Sequence, residues 1–342
     1  MLAKFKFGLR AKVSIALSAL LLSSLLITSV SSYLQSKRVA ELKELELEQS
    51  KLVLLKHEIE RALTEHQNIL MSLRDTPPIQ AILRANANNG VDPESDDSLM
   101  VWKDRLSTIF LAFLANHPQY LQIRFIDAGG DELVRVQSGD NGDANIVEAS
   151  GLQNKAGEPY VAGTLALQKG QVYYSNVSLN REHGVIQQPH VPVLRLASPV
   201  HDVDGVARAL IVINLATELM FSNVSSSSNG VRQYIVDEQG NYIKHSDSTK
   251  VLAKEQGRDY KFQQIEPVLH ALSENQDQLI HRHDEHRELE GFHKIYYSPL
   301  DKTRYWLLTL HIPEAVVFSD IAAALNNMLL VGLTIGVLAL LL

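Results

Sequence analysis

Arginine and tyrosine residues interrupt otherwise apolar segments in the middle of the chain. Arg124 and Arg195 each lie between apolar neighbours, Tyr173 and Tyr174 form a short run, and Asn180 follows them. A guanidinium offers a planar fork of donors that fits carboxylate or phosphate, and an asparagine amide donates and accepts at once. We therefore predict that these five residues line a pocket for a small, anionic ligand.

The same residues have a plainer interpretation. An arginine on a strand usually points to solvent or pairs with a carboxylate of its own chain. Asp127 and Glu182 are close enough in the sequence to be such partners, and Arg181 and Glu182 could lock their own loop. The sequence leaves ligand binding and internal pairing open.

A histidine-rich segment, 281–286, followed by His293, has side chains that zinc prefers. His281 and His283 would share one face of a strand, because side chains alternate between the two faces. The spacing matches no closed zinc site, however, and the flanking charges are typical of a solvated loop. We predict no metal site and no other cofactor.

Catalytic signatures are absent from the sequence. It has no glycine-rich phosphate loop, no nucleophile elbow and no kinase or cyclase signature. The paired carboxylates Asp202 and Asp204 fall in an evident turn, where aspartate is common because of its local hydrogen bonds. We predict that the chain is not an enzyme, with an exported hydrolase as the alternative, because a fold does not fix a function.

Two uncharged apolar runs, 13–36 and 321–342, enclose nearly all the polar residues. Each is long enough for a transmembrane helix, which needs ~20 residues. The cations of residues 1–12, with no acid among them, predict a cytoplasmic N-terminus and an exported middle. The first run is too long for the core of a cleaved signal peptide. The second has no basic residue at its end, so we expect the chain to continue past Leu342.

Charge and composition fit an exported domain. The net charge is −7 although the first residues are basic, so acid dominates between the two apolar runs. Such a surface repels nucleic acid. The chain has no cysteine, which excludes disulfides and thiol chemistry and suits a bacterial periplasm. We predict a protein of the bacterial inner membrane with its central region in the periplasm.

Residues 37–75 contain neither proline nor glycine and are rich in strong helix formers. They predict a long stalk helix, which Thr76-Pro77-Pro78 would end, because the residue before a proline disfavours helix. Two partner surfaces stay open for its apolar seam: the chain's own sheet, or a second stalk in a homodimer. The seam residues are Leu42, Leu45, Leu52, Ile59, Leu63, Leu70 and Leu73.

Two hairpin patterns each occur twice, which predicts a duplicated unit. The paired strands are predicted at 121–127 and 132–136, 233–237 and 241–244, 193–200 and 206–214, and 292–300 and 305–310. We predict an α+β fold in which two antiparallel-sheet units, 76–224 and 230–313, follow the stalk helix. A serine-rich joint at 225–230 would connect the units, and two transmembrane helices would flank them.

Six short motifs occur in the order expected of a known family. They are Pro77-Pro-Ile-Gln-Ala-Ile, Trp102-x-x-Arg-Leu-x-x-Ile-Phe, Tyr120-Leu-Gln-Ile-Arg-Phe-Ile-Asp, Glu132-Leu-Val-Arg-Val, Leu179-Asn-Arg-Glu-x-Gly and Pro192-Val-Leu-Arg-x-Ala. With them, the region 33–313 resembles the double Cache, or tandem PAS-like, periplasmic sensor region of bacterial transmembrane receptors.

The resemblance implies a membrane-distal PAS-like unit that takes a small ligand and a membrane-proximal unit that relays to the second membrane helix. It also implies an output domain of histidine kinase or diguanylate cyclase type beyond this chain. The amino-acid-binding version of the family relies on an Arg-x-Trp-Tyr stretch, which this sequence lacks. From the two apolar runs and the resemblance we expect the sensing part of a receptor. The alternative is an output-free, membrane-anchored module for solute binding or protein interaction.

Overall fold

The structure, a computed structural model, describes residues 8–139, 142–182, 184–224, 230–263, 265–272, 276–283 and 285–341. In chain order the helices are α1 (Leu9–Arg74), α2 (Pro77–Ala87), α3 (Leu99–Ala115), α4 (Pro159–Leu165), α5 (Thr217–Met220), α6 (Ile265–Ala271), α7 (Glu314–Val317) and α8 (Ser319–Leu341). Short 3₁₀ turns lie at Ala149–Gly151, Ser248–Lys250 and Ala253–Gln256.

The strands belong to two larger sheets and one small ribbon. They are β1 (Tyr120–Asp127), β2 (Glu132–Ser138), β3 (Ala144–Ile146), β4 (Tyr173–Tyr174), β5 (Ser178–Leu179), β6 (Arg181–Glu182), β7 (Val185–Ile186), β8 (Pro192–His201), β9 (Ala207–Ala216), β10 (Arg232–Asp237), β11 (Tyr242–Lys244), β12 (Gln278–His283), β13 (Glu288–Tyr296) and β14 (Tyr305–Pro313).

Helix α1 joins the predicted first anchor and the predicted stalk in one continuous element of 66 residues. At about 1.5 Å per residue, such a helix is roughly 100 Å long. It ends where predicted, since Thr76 adopts an extended conformation and Pro77 opens helix α2. A long N-terminal helix followed by antiparallel sheets confirms the predicted α+β class.

One helix of the described residues is long and apolar enough to cross a membrane, and it covers Lys12–Arg74. Helix α8 occupies the place of the second predicted span, 321–342, and lies beside α1. Just before α8 begins, the ring centre of Phe318 lies 4.8 Å from the ammonium of Lys37 on α1. The structure alone does not identify α8 as a second membrane span, so that part of the sequence prediction stays a prediction.

The first sheet has the strand order β3-β2-β1-β9-β8-β4, with β5 also pairing with β8. Both predicted hairpins are present in it, β1 with β2 and β8 with β9, and β9 also pairs with β1. The turn between β1 and β2 needs glycine at position 130, where φ is +89°. A side chain there would also collide with Ala156, whose nitrogen lies 2.4 Å from the Cβ position.

The second sheet has the order β11-β10-β14-β13-β12. The equivalent strands of the first sheet follow the same order, β2-β1-β9-β8-β4, so the topology shows the predicted duplication. The turn glycine also repeats, because Gly240 has a φ of +82°. The predicted joint falls mostly on residues 225–229, which lie outside the described residues, and the unit boundaries stay predictions.

One side of each sheet packs against helix α1 and forms a shared core. Most of the predicted stalk seam is buried in this core, including Leu52, Ile59, Leu63 and Leu70. The contact with the second sheet is close: a Cβ on Gly291 of β13 would lie 2.6 Å from Cδ1 of Leu52. The stalk therefore packs on the chain's own sheets, while Leu42, nearer the membrane anchor, is 62% exposed.

We predict that Leu70→Ala lowers the free energy of unfolding by about 2–5 kcal/mol, because it leaves a cavity between α1 and the first sheet. The matched control is Leu54→Ala on the same helix, where the leucine is 62% exposed, and we expect it to change little. Thermal unfolding of the full chain in detergent measures both. Equal losses would contradict the packing described.

Stability should also depend on His293, which lies on the α1 side of the second sheet and is 5% exposed. Burial lowers the pKa of His293 below its ordinary value, more than the hydrogen bond with the Lys294 carbonyl raises it. The unfolded chain therefore takes up this proton at a higher pH than the folded chain. We predict that stability falls as pH drops below about 6.5, and that His293→Gln makes this slope shallower. An unchanged slope in the variant would contradict the assignment.

Candidate functional site

The first sheet carries a polar row on the face turned away from α1. Side chains alternate along a strand, so Ile123 and Phe125 face the α1 core while Gln122 and Arg124 face the other side. The strand register extends this row, because Gln122 is opposite Asn214 on β9, which is opposite Arg195 on β8. Helix α4 and its tyrosine, Tyr160, cover the apolar part of the same face.

Arg124 is 2% exposed and lies at the centre of this row. Its Nε is 2.9 Å from a carboxylate oxygen of Glu132. Its other nitrogens donate to Asn214 at 3.3 Å and to the Gln122 side chain. The carboxylate that pairs with Arg124 is therefore Glu132, which the sequence analysis did not name as a partner. Asp127, which it did name, accepts a backbone hydrogen bond in its own turn.

Glu132 also holds a second arginine. Its carboxylate is 3.7 Å from Arg135 and accepts the backbone N–H of Gln153 at 3.0 Å. Arg124 and Arg135 are opposite each other on β1 and β2. Two buried guanidiniums therefore share one carboxylate.

Arg195 is partly buried and donates to the hydroxyl of Ser178 at 2.8 Å. Burial lowers the pKa of Arg195 below its ordinary value, and the like charge of Arg124 lowers it further. Within the described part of the chain, no carboxylate lies at ion-pair distance from this guanidinium. Arg195 is thus the cation of the row whose charge is least compensated.

Asn180 is 1% exposed and joins the row through Asn214, whose amide donates to its side-chain oxygen at 3.2 Å. Its own amide donates to Gln187 at 2.7 Å. The neighbouring backbone is tied to the second unit, because the N–H of Leu179 donates to Glu255 at 3.1 Å. Asn180 therefore links the polar row to a contact between the units.

The two tyrosines of β4 face opposite sides of the sheet. Tyr173 packs under helix α4 on the side of the polar row, where a Cβ on Gly163 would lie 2.7 Å from its ring. Tyr174 faces the stalk, and its hydroxyl donates to Gln67 of α1 at 2.8 Å. Burial raises the pKa of Tyr174 to about 12, so it stays a neutral donor. The structure brings Arg124, Asn180 and Arg195 together with Tyr173 at their edge, and it places Tyr174 elsewhere.

Sequence reasoning missed Gln122, Glu132, Arg135, Tyr160 and Asn214. Two signals could have indicated some of them. Gln122 is two positions from Arg124 and so shares its face, and the predicted β8–β9 hairpin would have paired Arg195 with Asn214 once its register was known. Nothing in the sequence pairs Glu132 with Arg124, because the β1–β2 register shifts between Phe125 and Ile126.

A cavity of about 620 Å³ lies where the two units meet, and it is separate from the polar row. Its walls include Thr217 and Phe221 from the first unit and Lys244, His245 and Arg258 from the second. Lys244 is already paired with Glu218 at 2.8 Å. Arg258 donates to the Gln256 side chain, and its Nε has no hydrogen-bond partner among the described residues, so the cavity also carries a cation.

The sequence matches the protein-family model described as the bacterial histidine kinase sensor domain over residues 94–305. No curated protein matches the sequence.

Several solved structures share the fold. The domain of a sensory box/GGDEF family protein from Vibrio parahaemolyticus is 19% identical with a TM-score of 0.63, and the match covers 82% of this chain and 98% of that one. The extracellular domain assigned to the histidine kinase vpHK1S-Z8 is 18% identical with a TM-score of 0.64, covering 85% and 98%. The ligand-binding domain of the Campylobacter jejuni chemoreceptor Tlp3, in complex with L-valine, is 11% identical with a TM-score of 0.54, and the match covers 82% of this chain and 97% of that one. These identities show a common fold, and the resemblance to Cache-type sensor regions is confirmed.

We predict that Glu132→Gln lowers the free energy of unfolding by about 3–5 kcal/mol, because it leaves two buried guanidiniums without their shared carboxylate. The exposed Glu148 of the same unit provides the control, and Glu148→Gln should change little. Chemical unfolding of the full chain in detergent compares the two. A neutral Glu132→Gln would show that the carboxylate does not hold the arginines.

Proposed function

The chain belongs to the bacterial histidine kinase sensor domain family, and from this premise we propose that its first unit binds a small anionic ligand on the polar row. The family is a sensor family, so the chain is a sensor domain and not an enzyme. Sensor domains of this kind lie outside the cytoplasm, which implies a periplasmic location, and the apolar N-terminal helix is consistent with membrane anchoring.

The observation that carries the proposal is the environment of the Arg195 guanidinium, which bonds Ser178. A partly buried guanidinium without a carboxylate at ion-pair distance among the described residues is costly unless an anion reaches it. Arg124 differs, since Glu132 already compensates it. We therefore assign Arg195 as the residue that contacts the anionic group, with Asn180 and Tyr173 beside it and Arg124 fixing the row.

A carboxylate is the anionic group that this site fits best. Arg195 presents a fork of N–H donors that matches the two oxygens of a carboxylate, and the side-chain amide of Asn180, which donates to Gln187, has a second N–H. The chemoreceptor Tlp3 domain in complex with L-valine has the same fold, and an amino acid also carries a carboxylate. Organic acids and amino acids are both in the ligand class that we propose.

We propose that binding is relayed to the membrane through α1. Strands β8 and β9 carry the polar row on one face and contact α1 on the other. Tyr174, next to Tyr173, bonds Gln67 of α1, and Arg304 of the second unit donates to Asn176 of the first at 2.7 Å. A ligand that binds one arrangement of these contacts more tightly shifts the receptor toward it.

The remaining parts of the proposal concern the membrane. Helix α8 serves as the second membrane span beside α1 and passes the signal toward the cytoplasm, to an output of kinase or cyclase type. The exposed leucines of the lower stalk, such as Leu42, form a seam between two copies in a homodimer. The packing of α8 along α1 supports both helices moving as one unit.

A thermal-shift screen of the full chain in detergent tests the ligand proposal, with organic acids and amino acids as separate arms. A ligand at 100 times its dissociation constant should add about 2.7 kcal/mol to the stability. We predict that Arg195→Gln abolishes the shift and that Arg208→Gln retains it, because Arg208 pairs with Asp202 in an exposed turn. No shift with any anion in a folded protein, or a shift that survives Arg195→Gln, would contradict the proposal.

A further inference from the structure

The second sheet carries its own polar row at the register position that the first sheet uses. His281 on β12 is opposite Glu290 on β13, which is opposite His311 on β14. In the first sheet the corresponding strands place Arg195 opposite Asn214. This second row also lies on the face away from α1. Gly291 faces Leu52 of the stalk, so its strand neighbours Glu290 and Phe292 face the other side.

The side chains of this second row converge. Nδ1 of His311 is 3.5 Å from one oxygen of Glu290 and 3.8 Å from an oxygen of Glu288. Nε2 of His281 is 3.5 Å from the other oxygen of Glu290. One ligand atom each from Glu288, Glu290 and His311 lies within 4.8 Å of the others. Zinc bonds of about 2.0–2.2 Å in a tetrahedron would place such atoms roughly 3.3–3.6 Å apart; the distance from His311 to Glu290 is 3.5 Å and that to Glu288 is 3.8 Å.

Burial makes this cluster costly without a cation. Glu290 and His311 are 2% and 3% exposed. One Glu290 oxygen and Nδ1 of His281 have no hydrogen-bond partner within the residues the structure describes. A buried carboxylate oxygen without a partner loses its hydration and gains nothing in return. The cluster therefore has the donor atoms of a binding site, and Glu290 offers a buried oxygen that a cation would stabilise.

The surroundings orient the ligands. Nε2 of His311 lies 2.5 Å from the hydroxyl of Tyr234, so Nδ1 is the nitrogen that faces the two carboxylates. A bond at the far nitrogen that fixes the ring is what metal-binding histidines use. Arg232 donates at 2.6 Å to the same Glu288 oxygen that lies 3.8 Å from Nδ1 of His311. Glu288 is thus shared with an arginine, whereas the ion-pair partners of Glu290 among the described residues are histidines.

We propose that Glu288, Glu290 and His311 bind one divalent transition-metal ion, with zinc as the best match, and that His281 orients Glu290 through its other oxygen. Imidazole and carboxylate suit zinc in a tetrahedral site. Spacing along the chain favoured none of the histidines in 281–286, so the sequence analysis predicted no metal site. His311 and Glu290 are distant from each other in sequence and meet only through the β13–β14 pairing.

An ion at this position would connect the elements that lead to the membrane. It would join β13 and β14, and through His281 also β12, across one register row, and β14 runs directly into α7 and α8. Glu290 is adjacent to Gly291, whose close contact is Leu52 of α1. Metal occupancy would therefore stiffen the second sheet against both helices. This inference is independent of the anion site in the first unit.

The test uses the full chain in detergent, purified without a histidine tag and stripped with chelator. We expect one zinc ion per chain after dialysis, a higher melting temperature with zinc than with chelator, and a cobalt absorption spectrum of tetrahedral type. Glu290→Gln and His311→Gln should both lose the ion. His293→Gln, a buried histidine on the other face of β13, should keep it.

A second comparison excludes adventitious binding at the surface. His286 is exposed in the turn of the same hairpin, where its ring stacks on that of His283 with ring centres 4.3 Å apart. His286→Gln should retain the zinc. His281 is partly exposed, so His281→Gln should fold, and we expect it to weaken zinc binding roughly tenfold or more. This variant tests the site even if the variants at the buried positions do not fold. No bound zinc, or loss of the ion in His286→Gln with retention in His281→Gln, overturns the proposal.

Discussion

Two sheets share a single helix as one wall of their core, and the other features of the molecule follow from that constraint. Each sheet must bury one face, and α1 offers an apolar stripe long enough for both, from Leu52 to Leu73. The close approach of Leu52 to Gly291 shows how little space separates stalk and sheet. Because one face is committed to the helix, polar side chains that bind a ligand have to lie on the other.

The duplication then gives two polar rows with different chemistry. In the first unit the row is cationic, with Arg124 and Arg195 beside the amide of Asn214. In the second it consists of Glu290 and two histidines. The strand order and the position of the row are the same, so the fold fixes where a site lies while the side chains fix what it binds. Both rows lie on sheets whose other face contacts α1.

The fold was predictable because local patterns specify it. The absence of proline and glycine predicted the stalk, the Asp-x-x-Gly turns predicted the first hairpins, and their repetition predicted two sheets. The sites were less predictable, because they depend on register across strands that are distant in sequence. Arg124 is paired with Glu132 across a register shift. Tyr173 and Tyr174 were grouped although adjacent strand residues face opposite sides.

We propose that an anion on the far face of the first sheet changes the contacts of α1. Amide hydrogen exchange of the full chain in nanodiscs can be compared with and without a carboxylate that raises its melting temperature. We expect slower exchange in β1, β8 and β9 together with altered exchange in the part of α1 around Gln67, and none of this in Arg195→Gln. Protection confined to the cavity between the units, around Lys244 and Arg258, would contradict it.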